Sequence, residues 1–175
     1  GLQATSFRIG QVSGAMSNGA WSTTDWVPAI VKSSIALGSF PSNPAGTVAW
    51  IIPEAVAGTI VDAALNTEKS PFAINLVHPR PVTWDALMSS MERAAQRPLI
   101  PFADWVHQLE TRSAHATAED MENIVPVGMG SLSTEFSTVK AQALSDAMRS
   151  VKSLGTEDAE RWIRYWTEMG FINIA

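Results

Sequence analysis

Apolar residues along the chain follow two different spacings, and the spacing changes repeatedly in the first half. Short apolar runs bounded by glycine or proline are typical of strands, whereas apolar residues three and four positions apart are typical of helices. The pattern predicts strands over residues 6–9, 48–52 and 72–77 and helices that begin at residues 25, 53 and 83. This alternation of strands and helices predicts an α/β fold.

Residues with known positional preferences mark the ends of these helices. Asp25 and Thr83 are predicted to cap the first and third helices with their side-chain oxygens, and Pro53 suits the first turn of the second. Gly38 is predicted to end the first helix. The stripe predicted to be buried on the second helix consists of Val56, Ile60, Val61, Ala64 and Leu65.

The chain after Pro98 is predicted to be helical. Apolar spacing predicts helices over 102–109, 117–124 and 136–151, and a last helix that Thr156 caps. On the last helix, the residues predicted to face the core are Ala159, Trp162, Ile163 and Trp166. Gly170 followed by Phe171 is typical of a Schellman ending. Residues 1–175 are therefore interpreted as a single unit, the tail of an α/β domain with few strands and a predominantly helical cap.

Composition and charge narrow the classes of function. Hydrophobic residues make up 46% of the 175 residues and charged residues 17%, which is typical of a folded domain with a sizeable core. A net charge of −5 without a run of lysine or arginine argues against a nucleic-acid partner. No apolar run approaches the roughly 20 residues of a membrane span. The absence of cysteine excludes disulfides and thiolate chemistry and fits a cytoplasmic protein.

Residue types that carry catalysis are sparse. The single tyrosine, Tyr165, has methionine four positions later, so the chain lacks a Tyr-x-x-x-Lys pair for proton donation. No complete Gly-x-Gly-x-x-Gly turn is present, and residues 128–130 (GMG) are interpreted as a plain loop. The histidines, His78, His107 and His115, do not have metal-ligand spacing. We therefore predict no catalytic residue and no metal ligand.

One segment has the setting of a ligand site. The first predicted strand ends at Ile9 and breaks into a loop that contains Gly10 and Gly14, and ligands of open α/β sheets bind at the carboxyl ends of strands. From spacing alone, we interpret this segment as an ordinary loop that follows the strand, with the two glycines for turning, rather than as a ligand site. Trp21, in the same loop, is the tryptophan least explained by packing, and Trp50 is ambiguous. The other five tryptophans fall on helix faces and are predicted to lie in the core.

Several consecutive stretches resemble extended short-chain dehydrogenases of the thioester reductase type. They are FRIGQVSG (7–14), NGAW (18–21), DWVP (25–28), LGSFP (37–41), WIIPEAVA (50–57), WIRYW (162–166) and GF (170–171). The sequence is similar to reductase domains at the C-terminus of fungal adenylate-forming reductases, which resemble non-ribosomal peptide synthetases. The resemblance implies a Rossmann-type α/β fold, of which this chain is the C-terminal, substrate-binding part.

The same resemblance implies roles for residues near the first strand. Ile9 and Gly10 are expected to lie beside the nicotinamide of NADPH and to offer backbone contacts to its carboxamide. Gln11 matches a position that usually faces the substrate. Trp21 and Asp25 are expected to line the entrance for the acyl group or the pantetheine arm.

The implied partners are an N-terminal Rossmann half, which would carry the catalytic tyrosine and lysine, and a phosphopantetheinyl carrier domain. The implied reaction is reduction of a carrier-bound acyl thioester by NADPH to an aldehyde or alcohol, and the chain alone is expected to be inactive. Two alternatives stay open: a dehydrogenase of a free small molecule, and a non-catalytic module that docks a carrier. A chain without its Rossmann half is also expected to expose apolar surface.

Overall fold

The computed structural model describes residues 4–66, 70–115, 117, 123–124 and 136–174. The strands are β1 (Ser6–Ile9), β2 (Phe40–Ser42), β3 (Thr47–Val48), β4 (Ala73–Leu76), β5 (Val82–Thr83) and β6 (Leu99–Pro101). The helices are α1 (Trp26–Leu37), α2 (Pro53–Leu65), α3 (Trp84–Ala95), α4 (Phe102–Ala114), α5 (Val139–Leu144), α6 (Asp146–Ser150) and α7 (Thr156–Glu168). The helix predicted over 117–124 lies mostly outside the described residues, and the loop at 128–130 lies entirely outside them.

The described strands associate in pairs. β1 and β4 are parallel, with Ile9 opposite Leu76, β2 and β6 are also parallel, and β3 and β5 are antiparallel. The strand predicted over 48–52 is shorter, because only Val48 pairs within β3 and Ile51 forms an isolated parallel bridge with Val12. The prediction that only helices follow Pro98 is wrong at β6. Its three residues are too few to show a strand period, and they pair with a strand far back in the sequence.

Tryptophan side chains form the centre of the core. Six of them contact one another in a cluster made of Trp21, Trp26, Trp50, Trp84, Trp162 and Trp166. The ring of Trp21 lies edge-on to Trp162, with centroids 4.8 Å apart, and edge-on to Trp50 at 5.4 Å. Edge-to-face pairs of this kind add about 0.5–1.5 kcal/mol beyond the burial of apolar area. The cluster joins the loop before α1 to α1, α3, α7 and the segment before α2.

The burial predicted for α2 is wrong. Val61 and Leu65 are 53% and 75% exposed, whereas Ala55 and Thr59 are buried. α2 instead packs its small and polar face against the α5–α6 region, where the Ser145 hydroxyl donates to Oδ2 of Asp62 at 2.5 Å. The outward apolar face agrees with the expectation that the chain exposes apolar surface.

The long helix predicted over 136–151 is two short helices, α5 and α6. Ser145 lies between them with extended backbone, φ −132° and ψ 130°, and its side chain is held by Asp62 of α2. The hydrophobic pattern does not reveal this break between the two helices, because the apolar residues on both sides keep helical spacing.

The last helix has the predicted core face but a different beginning. Ala159, Trp162, Ile163 and Trp166 are all buried. Gly155, not Thr156, occupies the N-cap position, and its N–H donates to Oδ2 of Asp158 at 3.0 Å. The predicted Schellman ending is confirmed: Gly170 has φ +68°, and the Phe171 N–H donates to the Trp166 carbonyl at 2.9 Å.

None of the helices within the described ranges has both the length and the apolar content that a membrane crossing requires.

Candidate functional site

The carboxyl end of β1 leads directly into the loop that the sequence singles out. The Gly10 N–H donates to the Leu76 carbonyl at 3.0 Å, which extends the pairing of β1 and β4 by one residue. Beyond it, the Ile51 N–H donates to the Gln11 carbonyl and the Ser13 N–H to the Ile51 carbonyl, both at 2.9 Å. These hydrogen bonds fix the backbone around Ile9, Gly10 and Gln11 at the strand end where α/β folds bind ligands.

Two glycines let the following loop lie directly on α7. A Cβ atom on Gly14 would lie 2.4 Å from Cδ1 of Trp162. Gly19 has φ +76°, and a Cβ atom there would lie 2.4 Å from the carbonyl oxygen of Arg161. No other residue type fits either position without displacement, because the neighbour is a packed ring or backbone. The loop is therefore held between β1 and α7.

The three residues predicted to contact substrate lie together in one hydrogen-bonded group. Asp25 Oδ2 accepts the indole N–H of Trp21 at 2.9 Å and the Gln11 side-chain N–H at 3.3 Å. Gln11 Nε2 also donates to the Val12 carbonyl at 2.8 Å, and Gln11 Oε1 accepts the indole N–H of Trp26 at 2.5 Å. This group, which we call the Gln11–Trp21–Asp25 network, joins the end of β1 to the start of α1.

The network corrects two interpretations of single residues. Asp25 occupies the N-cap position of α1, but its side chain makes no capping hydrogen bond, because the carboxylate binds Trp21 and Gln11 instead. Trp21 is only 3% exposed and belongs to the aromatic cluster, so packing does explain it. Its place at a substrate entrance stays a prediction, as do the roles of Ile9, Gly10, Gln11 and Asp25.

A second group of polar contacts lies at His78 and Arg80, and the sequence pattern does not predict it. His78 is 2% exposed, its Nδ1 accepts the Arg80 N–H at 3.0 Å, and its Nε2 lies 2.9 Å from the Lys152 carbonyl. Because Nδ1 accepts, the proton of the neutral ring is on Nε2 and is donated to Lys152. The Arg80 guanidinium donates to the carbonyls of Val151 and Arg149. We call this group the His78–Arg80 clamp.

Burial is the main influence on the His78 ring. It lowers the pKa of His78 below 6.5, and the nearby Arg80 guanidinium lowers it further. The hydrogen bond to the Lys152 carbonyl and the charge of Asp158 act in the opposite direction without reversing the shift. His78 is therefore a neutral structural donor. Among the described residues, no group of three or more histidine, aspartate or glutamate side chains could hold a metal ion.

Comparison with known proteins finds relatives along nearly the whole chain. The adenylate-forming reductase Nps11 of Serpula lacrymans var. lacrymans (strain S7.9) is 40% identical over an alignment of 200 positions that covers 97% of this chain and 18% of that protein. Nps9 of the same organism is 34% identical over an alignment of 204 positions, with the same coverage of 97% and 18%. The chain thus spans under a fifth of the length of these relatives. No model of a protein family matches it.

Solved structures show the fold. The terminal R domain from the myxalamid PKS-NRPS biosynthetic pathway superposes with a TM-score of 0.79 at 24% identity, over 97% of this chain and 45% of that one. A thiolation-reductase di-domain from an archaeal non-ribosomal peptide synthetase superposes with a TM-score of 0.69 at 15% identity, over 99% of this chain and 38% of that one. The Bordetella bronchiseptica enzyme WbmF in complex with NADH superposes with a TM-score of 0.53 at 16% identity, over 95% of this chain and 46% of that one.

These matches confirm the predicted α/β fold with few strands and many helices. By sequence the chain is similar to a segment of the adenylate-forming reductases of Serpula lacrymans, and its fold is similar to that of a terminal R domain.

Proposed function

We propose that this chain is the C-terminal, substrate-side part of an NADPH-dependent thioester reductase and that it is inactive without a nucleotide-binding half. The main support is the similarity to an adenylate-forming reductase along 97% of the chain, together with the fold of a terminal R domain. The sequence agrees, because it contains neither a Tyr-x-x-x-Lys pair nor a glycine-rich dinucleotide turn.

The residues at the end of β1 fit a place beside a nicotinamide. Ile9 is 46% exposed, while the backbone from Gly10 to Ser13 is held by hydrogen bonds to β4 and to Ile51. A rigid backbone with accessible surface at a strand's carboxyl end is what a bound dinucleotide requires. When bound, NADPH would supply a hydride to the thioester carbonyl carbon.

The chemistry assigned to the substrate is reductive cleavage of the thioester. The hydride adds to the carbonyl carbon and a proton to its oxygen, giving a thiohemiacetal, which breaks its carbon–sulfur bond to leave an aldehyde and the free carrier thiol. The proton donor belongs to the nucleotide-binding half in this proposal. The contribution of this chain is to hold Gln11, Trp21 and Asp25 at the acyl or pantetheine entrance, through the Gln11–Trp21–Asp25 network.

The nucleotide-binding half is proposed to pack along β1 and α2. β1 forms a parallel sheet with β4 alone among the described strands, and parallel sheets are normally covered on both faces and extended by further strands. Val61 and Leu65 present apolar side chains outward from α2. The chain also matches only 45% of the terminal R domain, which leaves room for a second half of that domain.

The carrier is proposed to be a phosphopantetheinyl domain in the cytoplasm. The support is the fold shared with a thiolation-reductase di-domain, in which the two functions adjoin in one chain.

The substrate class is tested with this chain joined to the nucleotide-binding half of the Nps11 relative. The joined protein is offered acyl-pantetheine thioesters and, separately, free carbonyl compounds and sugar nucleotides, while NADPH oxidation and aldehyde release are followed. We expect oxidation that depends on thioester and yields aldehyde and thiol. Oxidation with free carbonyl compounds or sugar nucleotides alone would contradict the thioester proposal and favour a dehydrogenase of free small molecules.

A further inference from the structure

The loop over residues 10–25, between β1 and α1, is called the site loop below. A cavity of about 550 Å³ lies beside it, between the start of α2, the segment that joins α6 to α7, and the first turns of α7. Its volume is within the roughly 300–1,000 Å³ that small-molecule sites occupy. The apolar residues that line it are Met16, Ile52, Ala55, Ala147, Val151 and Leu154.

The wall of the cavity is held in place by contacts outside it. Residues 151–155 have no helical hydrogen bonding, yet Val151 and Leu154 are buried. The His78–Arg80 clamp holds this segment, because it binds the carbonyls of Val151 and Lys152. On the opposite side, the Met16 N–H donates to Oε1 of Glu54 at 2.8 Å, which ties the site loop to the start of α2. A wall fixed in this way lowers the ordering cost of binding.

Charges around the cavity select against anions. The charged residues that line it are Glu54, Lys152, Glu157, Asp158 and Arg161, which are three carboxylates and two cations. Arg161 is paired with Asp158 at 3.1 Å, and Asp158 also accepts the Gly155 N–H. A free carboxylate or phosphate entering the cavity would therefore find an excess of negative charge, whereas an uncharged apolar chain would meet the buried aliphatic wall.

We propose that this cavity binds the uncharged acyl chain of the thioester and sets its preferred length. The inference rests on the reductase function proposed above, since that function supplies an acyl group close to the site loop. It adds a binding surface that is separate from the Gln11–Trp21–Asp25 network.

The test is calorimetric titration of the 175-residue chain with butyryl-, hexanoyl- and octanoyl-pantetheine, with pantetheine and octanoate as comparison ligands. We expect the affinity to rise about fourfold for each added methylene until the cavity is full, which follows from the burial of each CH₂ group. Ser153 lines the cavity and is exposed, so Ser153→Trp fills it from the solvent side. Ala103→Trp, at an exposed position on α4 away from the cavity, is the matched control.

The expected result is that Ser153→Trp weakens octanoyl-pantetheine binding about tenfold or more, whereas Ala103→Trp leaves the Kd unchanged. Circular dichroism shows whether both variants are folded. Equal affinities in the two variants, no dependence on chain length, or no saturable binding by the folded chain would each overturn the cavity assignment. None of these readouts requires NADPH. Thioester reduction by the joined protein with unchanged length preference in Ser153→Trp would therefore refute the cavity and leave the reductase proposal standing.

Discussion

The indole N–H of Trp21 donates to Oδ2 of Asp25 at 2.9 Å, and this bond ties the aromatic cluster to the residue that precedes α1. Trp21 is packed against Trp50, Trp162 and Trp166, while Asp25 stands at the start of α1 and also accepts from Gln11. The Asp25 carboxylate, together with the hydrogen bond from Trp26 to Gln11, therefore couples the loop after β1 to the first helix.

Removal of that carboxylate is expected to destabilise the whole chain. Asp25→Ala leaves the buried indole N–H of Trp21 without its acceptor, and an unsatisfied buried donor costs about 1–3 kcal/mol. The free energy of unfolding, measured in urea by tryptophan fluorescence, should fall by this amount. Asp104→Ala is the control, because Asp104 lies in the first turn of α4, is exposed and can act on the helix dipole. Equal losses in the two variants would show that Asp25 acts only on the helix dipole.

The close approach of the site loop to α7 predicts a strong effect at Gly14. Gly14→Ala places a Cβ atom 2.4 Å from the Trp162 ring, so the loop or the ring must move. Overpacking of this kind costs about 1–3 kcal/mol, which is roughly 2–12 °C in Tm for a chain of this size. Gly155→Ala is the control, because a Cβ atom there meets nothing within 4 Å. A Tm for Gly14→Ala as high as that of Gly155→Ala would contradict the geometry of the loop.

Burial of His78 predicts a loss of stability in mild acid. Because the pKa of His78 is lowered in the folded chain, the unfolded chain binds the proton more readily below about pH 6.5. The contribution of His78 is fully present above that pH and declines as the pH falls toward the folded pKa. The unfolding free energy of the natural chain should drop more between pH 7.5 and pH 5.5 than that of His78→Gln. His107→Gln, at an exposed position on α4, should keep the drop of the natural chain. An identical drop in the natural chain and His78→Gln would refute this account.

Because Leu65 lies on the outward face of α2, we expect it to contribute to binding of the nucleotide-binding half but not to folding of this chain. Leu65→Glu should change the unfolding free energy by less than about 0.5 kcal/mol, because the side chain is already 75% exposed. The same change should weaken binding of a separately produced nucleotide-binding half, as measured by analytical ultracentrifugation. Met169→Glu, 63% exposed at the end of α7, is the control. Loss of binding in both variants, or in neither, would place the partner surface elsewhere.

The elements that the sequence predicts well are those in which hydrophobic spacing and end residues agree. In α3, Thr83 caps the helix by accepting the Ala86 N–H, as predicted, and in α7 every predicted core residue is buried. In α2 the two kinds of information differ. Its apolar stripe faces outward because Thr59 and Asp62 both form hydrogen bonds with Ser145. That residue is more than 80 positions away in the sequence, so the local pattern does not reveal it.

The sequence likewise predicts part of the candidate site and not the rest. The sequence places Ile9, Gly10, Gln11, Trp21 and Asp25 near the end of a strand, and the structure brings the last three together. The sequence does not show whether the Asp25 carboxylate caps α1 or accepts from Trp21, because the outcome depends on the packing of the tryptophan cluster. The His78–Arg80 clamp was missed for a similar reason, since its acceptors are backbone carbonyls, which leave no mark in a sequence.

Complementation between this chain and a separately produced nucleotide-binding half of an adenylate-forming reductase tests whether the chain is the substrate-side part of a thioester reductase. NADPH oxidation is measured with octanoyl-pantetheine for each part alone and for the mixture at increasing concentrations of this chain. We expect no turnover by either part alone and, in the mixture, thioester-dependent turnover that saturates as the chain is added. Turnover by this chain alone, or none by a mixture in which the two parts bind each other and NADPH, would contradict it.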